Sequence, residues 1–139
     1  MDTFMCEFCQ IINKERTAYI VYEDEKLVSF LDADPINEGH VLVVPKEHVD
    51  SLDKMQDNTL SDVMSVSKKI VKALCEIYGS DGYSIMQNGG KFCDYGHIHF
   101  HIFPRYENDG FGFTYPEGSF EYSGVVAERL KKKLTDTNI

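Results

Sequence analysis

Residues 97–103 read His97-Ile98-His99-Phe100-His101-Ile102-Phe103, a strict alternation that only an extended chain can use. In a strand, successive side chains leave on opposite faces, so the three imidazoles share one face while Ile98, Phe100 and Ile102 share the other. One face suits a core and the other suits chemistry. A single histidine on a strand is ordinarily a satisfied structural residue; three in register are not so easily dismissed. Neighbours lie about 6.6 Å apart along the strand and the outer pair about 13 Å apart. Two adjacent imidazoles can share a metal ion, but three cannot when Zn–N bonds are about 2 Å long. At least one imidazole therefore has another task. A neutral imidazole can attack phosphorus and can donate a hydrogen bond to a phosphoryl oxygen, so a row of them suits phosphoryl or nucleotidyl transfer.

The strand needs a sheet, and the rest of the chain supplies it. Residues 19–22, 27–31, 40–44 and 82–87 read as further strands, with Pro45 closing the third and Pro104 closing the histidine strand. Asp34-Pro35-Ile36-Asn37-Glu38-Gly39 reads as a turn. Leu60, Val63, Met64, Ser67, Ile70, Val71, Leu74, Ile77 and Tyr78 recur at helical spacing. This pattern predicts one long helix over 59–78, stopped by Gly79. A short helix is expected over 8–13, irregular chain over 106–118, and a last helix over 119–134. The class is α+β: a mostly antiparallel sheet of about five strands with one long helix and a C-terminal helix. The 139 residues suffice for a single domain over 1–139.

Charge and composition narrow the partners. A net charge of −9 argues against a nucleic-acid binder, and no run reaches the ~18 apolar residues of a membrane span. The opening residues carry neither a basic start nor an apolar stretch, so no secretory signal is expected and the expected compartment is the cytoplasm. There the four cysteines should be thiols or metal ligands. Cys6 and Cys9 form a CxxC, either half of a metal site or two reduced thiols. Cys75 falls on the long helix as a core residue, whereas Cys93, close to the triad, is open to a reading as reactive thiol or substitute ligand. The basic run Lys131-Lys132-Lys133 reads as the solvated end of the last helix.

The alternating histidines followed by two apolar residues resemble the signature of the histidine triad (HIT) family. The resemblance extends to Phe30-Leu31-Asp32, to Gly39-His40-Val41-Leu42-Val43-Val44-Pro45-Lys46-Glu47-His48 and to Gln87-Asn88-Gly89-Gly90, in the family's order. It implies an enzyme of the hydrolase/nucleotidyl transferase type, cleaving at the α-phosphorus of purine nucleotides such as nucleoside phosphoramidates or dinucleoside polyphosphates. It makes His99 the nucleophile that forms a nucleotidyl intermediate, with His101 beside the non-bridging oxygens. It implies further that Asp32 accepts the ribose hydroxyls, that Phe8 and Phe30 flank the base, and that Asn88 and Gly89 approach the α-phosphate. Asp32 and Asn88 are also ordinary turn residues. By the same resemblance a structural zinc sits on Cys6, Cys9, His48 and His97, no organic cofactor is needed, and the chain pairs as a homodimer. Two stretches depart from the best-known branch: Phe92-Cys93-Asp94-Tyr95-Gly96, shortened so that Asp94 stands nearest a leaving-group serine, and everything from Tyr106 onward. A zinc-dependent hydrolase and a non-catalytic nucleotide-binding module are the competing readings.

Overall fold

The structure is a computed structural model that describes residues 5–136 and 138. Its β-branched segments form one antiparallel sheet of five strands, β1 (Ile20–Glu23), β2 (Leu27–Leu31), β3 (Val41–Pro45), β4 (Gly82–Met86) and β5 (Phe100–Arg105), in the order β1-β2-β3-β5-β4. Among the described residues three α-helices accompany it: α1 (Glu7–Ile12), α2 (Asp57–Tyr78) and α3 (Gly124–Leu134). The expected α+β class and strand number are observed. Among the described residues, no helix is long and apolar enough to cross a membrane.

Both faces of the sheet are covered, which sequence alternation alone does not require. On one face α2 lays Val63, Val66 and Leu74 over Leu27, Val43, Ile98, Phe100 and Ile102. On the other, Cys6, Phe8, Cys9 and Ile11 of the N-terminal segment pack on Val28, Phe30, Leu42 and Val44. The imidazoles share this second face, so they lie under α1 rather than in open solvent. Register sets up the site: Phe30 pairs with Leu42, Leu42 with His101, and His101 with Met86. Phe30 and His101 therefore belong to one row across the sheet.

Gly79 ends α2 as expected, in the left-handed conformation with its N–H on Cys75 O. Gly39 is demanded twice over. Its φ is +89°, and a Cβ there would lie 2.6 Å from Tyr78 Cε2. That contact locks the turn before β3 against the last turn of α2.

Three expected boundaries move. The histidine strand begins at Phe100, not His97, because the β3 ladder stops at Val43 opposite Phe100 and the Ile98 N–H turns to Val49 O at 2.8 Å. His97 and His99 thus precede the ladder but keep the alternation. Pro45 is the last residue of its strand, as expected, whereas β5 runs one residue past Pro104, to Arg105. Pro104 pairs with Tyr83, and its carbonyl accepts from Asn37 Nδ2 on the side where β3 has finished, so no ladder bond needs its missing N–H. Pro45 pairs with Leu27 and turns its carbonyl to His97. The last helix starts late, at Gly124, because the Ser123 side chain caps it by accepting from Val126 N–H. Residues 119–122 carry no regular structure instead, and Phe113, Tyr115, Phe120, Tyr122, Val125, Leu130 and Leu134 stand exposed along this C-terminal arm.

Candidate active site and metal centre

The N-terminal CxxC meets two histidines from distant parts of the chain. Cys6 Sγ lies 3.4 Å from His97 Nδ1, Cys9 Sγ lies 3.3 Å from His48 Nδ1 and 3.6 Å from His97 Nδ1, and the two Nδ1 atoms are 3.1 Å apart. A tetrahedral zinc with ordinary bond lengths requires edges of about 3.3 Å between nitrogens and about 3.5 Å between nitrogen and sulfur. The separations match. His97 donates from Nε2 to Pro45 O at 2.8 Å, leaving Nδ1 as a lone pair aimed at the cluster. Burial holds His97 down to about 4, so it is neutral at physiological pH. Burial, with Cys6 beside it, pushes the Cys9 thiol up to about 11; a cation is what would draw that proton off. The Cys6 sulfur also caps α1, accepting from Cys9 N–H at 3.5 Å. The four predicted ligands are therefore brought together into a group that can hold a metal ion.

With His97 turned to the cluster, His99 and His101 remain for chemistry, and their hydrogen bonds assign their protons. His99 Nδ1 faces His97 O at 2.8 Å. A carbonyl only accepts, so Nδ1 carries the hydrogen and Nε2 keeps its lone pair. His101 is set the other way. Ile36 N–H donates to His40 Nδ1 at 3.0 Å, so the His40 hydrogen is on Nε2, which donates to His101 Nδ1 at 2.9 Å. His101 is thereby left with its hydrogen on Nε2. A nucleophilic nitrogen and an N–H donor stand on adjacent rings whose centroids are 4.9 Å apart. Burial first, then the neighbouring His99 and His40, hold His101 down to about 4, so it donates as a neutral imidazole. His40 is lowered by burial as well.

Sequence reasoning gave His40 no role. Its signal was present in the Asn37-Glu38-Gly39-His40 turn, which bends back so that Ile36 N–H meets the ring. Asp32, His40 and His101 also form a triangle of metal-ligand type. The His40 proton pattern argues against an ion there, because coordination through Nε2 would turn Nδ1 into a donor facing the Ile36 N–H.

Asp32 fills two roles at once. Its Oδ1 accepts from Asp34 N–H at 2.9 Å, the turn role, while Oδ2 lies 3.5 Å from His40 Nε2 and 3.6 Å from His101 Nδ1. Phe8 and Phe30 meet edge to face at 5.4 Å, and Phe8 also meets His99 edge-on at 5.1 Å. Both phenylalanines are only 3% exposed. What covers Phe8 is Tyr95, stacked on it at 4.4 Å, a residue that sequence reasoning did not assign. Asn88 and Gly89 follow β4, two and three residues past Met86, the partner of His101. Asp94 is exposed in the turn that precedes the triad, and its charge acts on His101.

Comparison with known proteins agrees with this geometry. The profile of the HIT domain family matches residues 13–108. The adenosine 5'-monophosphoramidase HNT1 of Candida albicans is 37% identical over 138 residues, covering 93% of this chain and 91% of that one. The crystal structure of a HIT family protein from Bacillus anthracis superposes with a TM-score of 0.83 at 32% identity, covering 94% of each chain. A Zn-bound histidine triad family protein from Mycobacterium smegmatis superposes with a TM-score of 0.74 at 34% identity, covering 81% of this chain and 83% of that one.

Proposed function

The chain belongs to the HIT domain family, and from that premise we propose that it is a hydrolase or nucleotidyl transferase that cleaves at the α-phosphorus of purine nucleotides through a covalent intermediate on His99. The observation that carries this reading is the Nδ1–H of His99 bound to His97 O, which leaves Nε2 unprotonated beside the Nε2–H donor of His101. His99 Nε2 attacks the α-phosphorus and the bond to the leaving group breaks. His101 donates to a non-bridging oxygen as its charge grows. Water or another acceptor then attacks phosphorus, the P–N bond breaks, and His99 is regenerated.

The remaining residues bind the substrate. Asp32 accepts the ribose hydroxyls through the carboxylate that already lies beside His101. Phe8 and Phe30 border the base. Asn88 and Gly89 approach the α-phosphate from the loop after β4, and Asp94 stands on the leaving-group side. A nucleoside phosphoramidate is the first substrate to test, because the Candida albicans relative is named as an adenosine 5'-monophosphoramidase; dinucleoside polyphosphates come next.

Zinc is assigned to Cys6, Cys9, His48 and His97, where it would hold the N-terminal segment against the catalytic strand. Four protein ligands leave no open position, so the metal has a structural role, and His99 and His101 do the chemistry with no organic cofactor. Two zinc-ligating cysteines beside the unpaired Cys75 and Cys93 suit a reducing compartment, the cytoplasm. We assign a single HIT domain to residues 1–139, and a homodimer, supported by the open edge of β4 and the uncovered C-terminal arm.

The test is intact-mass spectrometry after an early quench, with the chain and its His99→Ala variant incubated with a purine nucleoside phosphoramidate. A nucleotidyl adduct on His99, absent from the variant together with at least about a thousandfold of the turnover, is expected. AMP or GMP binding with no adduct from either substrate class would favour the binding-module reading instead.

A further inference from the structure

Among the described residues, the segment between β4 and the triad is held to the body chiefly by the ring of Tyr95. Its backbone hydrogen bonds close within it: Phe92 N–H to Gly89 O, Cys93 N–H to Gly90 O, and Gly96 N–H to Cys93 O. Each end is a glycine in the left-handed region, Gly90 at φ +62° and Gly96 at φ +63°, which are the positions where a loop turns most freely. Lys91, Phe92 and Asp94 face solvent. Apart from a weak contact of Cys93 Sγ with His97 O at 3.6 Å, the attachment is the ring of Tyr95, stacked on Phe8 at 4.4 Å with the planes 28° apart and standing edge-on to His99 at 5.9 Å.

That ring lies where a ligand would have to go. Phe30 meets Phe8 edge-on from one direction, His97 and His99 from others, and Tyr95 takes the stacked position. Phe8 is then 3% exposed, while Tyr95, at 36%, carries the solvent boundary. A planar base cannot stack on Phe8 while Tyr95 does so.

We infer that Tyr95 is a plug for the nucleobase slot: its ring occupies the stacking position on Phe8, and the Gly90–Gly96 segment swings out as a lid when a nucleoside displaces it. This rests on the proposed nucleotide reaction and adds a residue that sets its affinity. Base and tyrosine compete for one aromatic face, so the observed affinity is the intrinsic one reduced by the fraction of molecules with the slot open. The ring carries the competition and the hydroxyl does not, because no stacking depends on it.

The experiment is calorimetric titration of the full zinc-loaded chain with AMP and with GMP, for the wild type, Tyr95→Ala and Tyr95→Phe. Removing the ring is expected to tighten both nucleotides by about two- to tenfold, the worth of one aromatic pair, and Tyr95→Phe is expected to stay within about twofold of the wild type. Without nucleotide, amide relaxation should show residues 91–94 loosened in Tyr95→Ala and unchanged in Tyr95→Phe. Nucleotide binding that is weakened or unaltered in Tyr95→Ala would overturn the plug and make Tyr95 a wall of the slot, with the nucleotide reading intact. Failure of all three proteins to bind either nucleotide would bring down that reading, and the plug with it.

Discussion

His40 donates its Nε2 proton to His101 Nδ1 across 2.9 Å, and it can do so only because the Ile36 N–H already occupies its other nitrogen. The turn before β3 therefore writes the proton pattern of a side chain on β5. His40→Leu should leave His101 free to adopt the other tautomer and cost about 100-fold in kcat, the scale of losing one transition-state donor, with KM little changed. His40→Gln can accept from Ile36 through its oxygen and donate to His101 through its nitrogen, so it should recover about tenfold of that loss. Equal activity of the two variants in steady-state kinetics would show that the hydrogen bond is not what matters.

The cluster of Cys6, Cys9, His48 and His97 predicts one zinc per chain in native mass spectra. Cys6→Ser should lose the metal and melt about 10 °C lower, on the order of 3 kcal/mol for a chain of this size. His99→Ala should keep both metal and melting point. A Cys6→Ser variant that keeps its zinc, or that loses it and still melts with the zinc-loaded wild type, would refute the assignment.

Acid should weaken the fold through His101. Its pKa is held at about 4 in the folded chain against 6.5 for the ordinary group. The unfolded chain therefore binds the proton first as pH falls, so the stabilisation is complete above pH 6.5 and is lost progressively toward pH 4. Between pH 7 and pH 5 this amounts to about 2 kcal/mol. Urea titrations of zinc-loaded protein at the two pH values should show a drop larger by about that amount in the wild type than in His101→Gln. Parallel drops would place the acid sensitivity elsewhere.

The C-terminal arm bears on assembly. Phe120, Tyr122, Val125, Leu130 and Leu134 stand uncovered, and an isolated helix of 11 residues such as α3 is marginal in water. α3 carries Arg129, Lys131, Lys132 and Lys133 against Glu128 alone, whereas the whole chain is at −9. A basic apolar arm on an acidic body suits a second copy of the same chain. Light scattering should find twice the 15.9 kDa chain mass for the wild type, and the double variant Phe120→Ser with Tyr122→Ser should dissociate at concentrations at least about tenfold higher. An unchanged dimer would remove the arm from the interface.

How far the sequence could be read depended on whether a local pattern had a local cause. α2 was expected over 59–78 and runs Asp57–Tyr78, because its stripe repeats over five turns and a glycine closes it. The four cluster ligands were legible through resemblance alone, since Cys6 and His97 lie far apart in the chain and no periodicity links them. Pro104 was misread as a terminator because its cost depends on whether a neighbouring strand is present, which a strand's own residues do not reveal. Tyr95 escaped for a related reason: nothing in Cys93-Asp94-Tyr95-Gly96 announces that its ring will meet Phe8, a partner 87 positions earlier in the chain.

The cluster's two halves are also separated in time. Cys6 and Cys9 leave the ribosome 88 residues before His97 does (97 minus 9), a wait of about 4 to 18 s at ordinary rates of synthesis. During that interval the two thiols, with two residues between them, lack their histidine partner and are open to oxidation or to capture of the wrong metal. The yield of correctly loaded protein should then depend on how fast the stretch of message between Cys9 and His97 is translated.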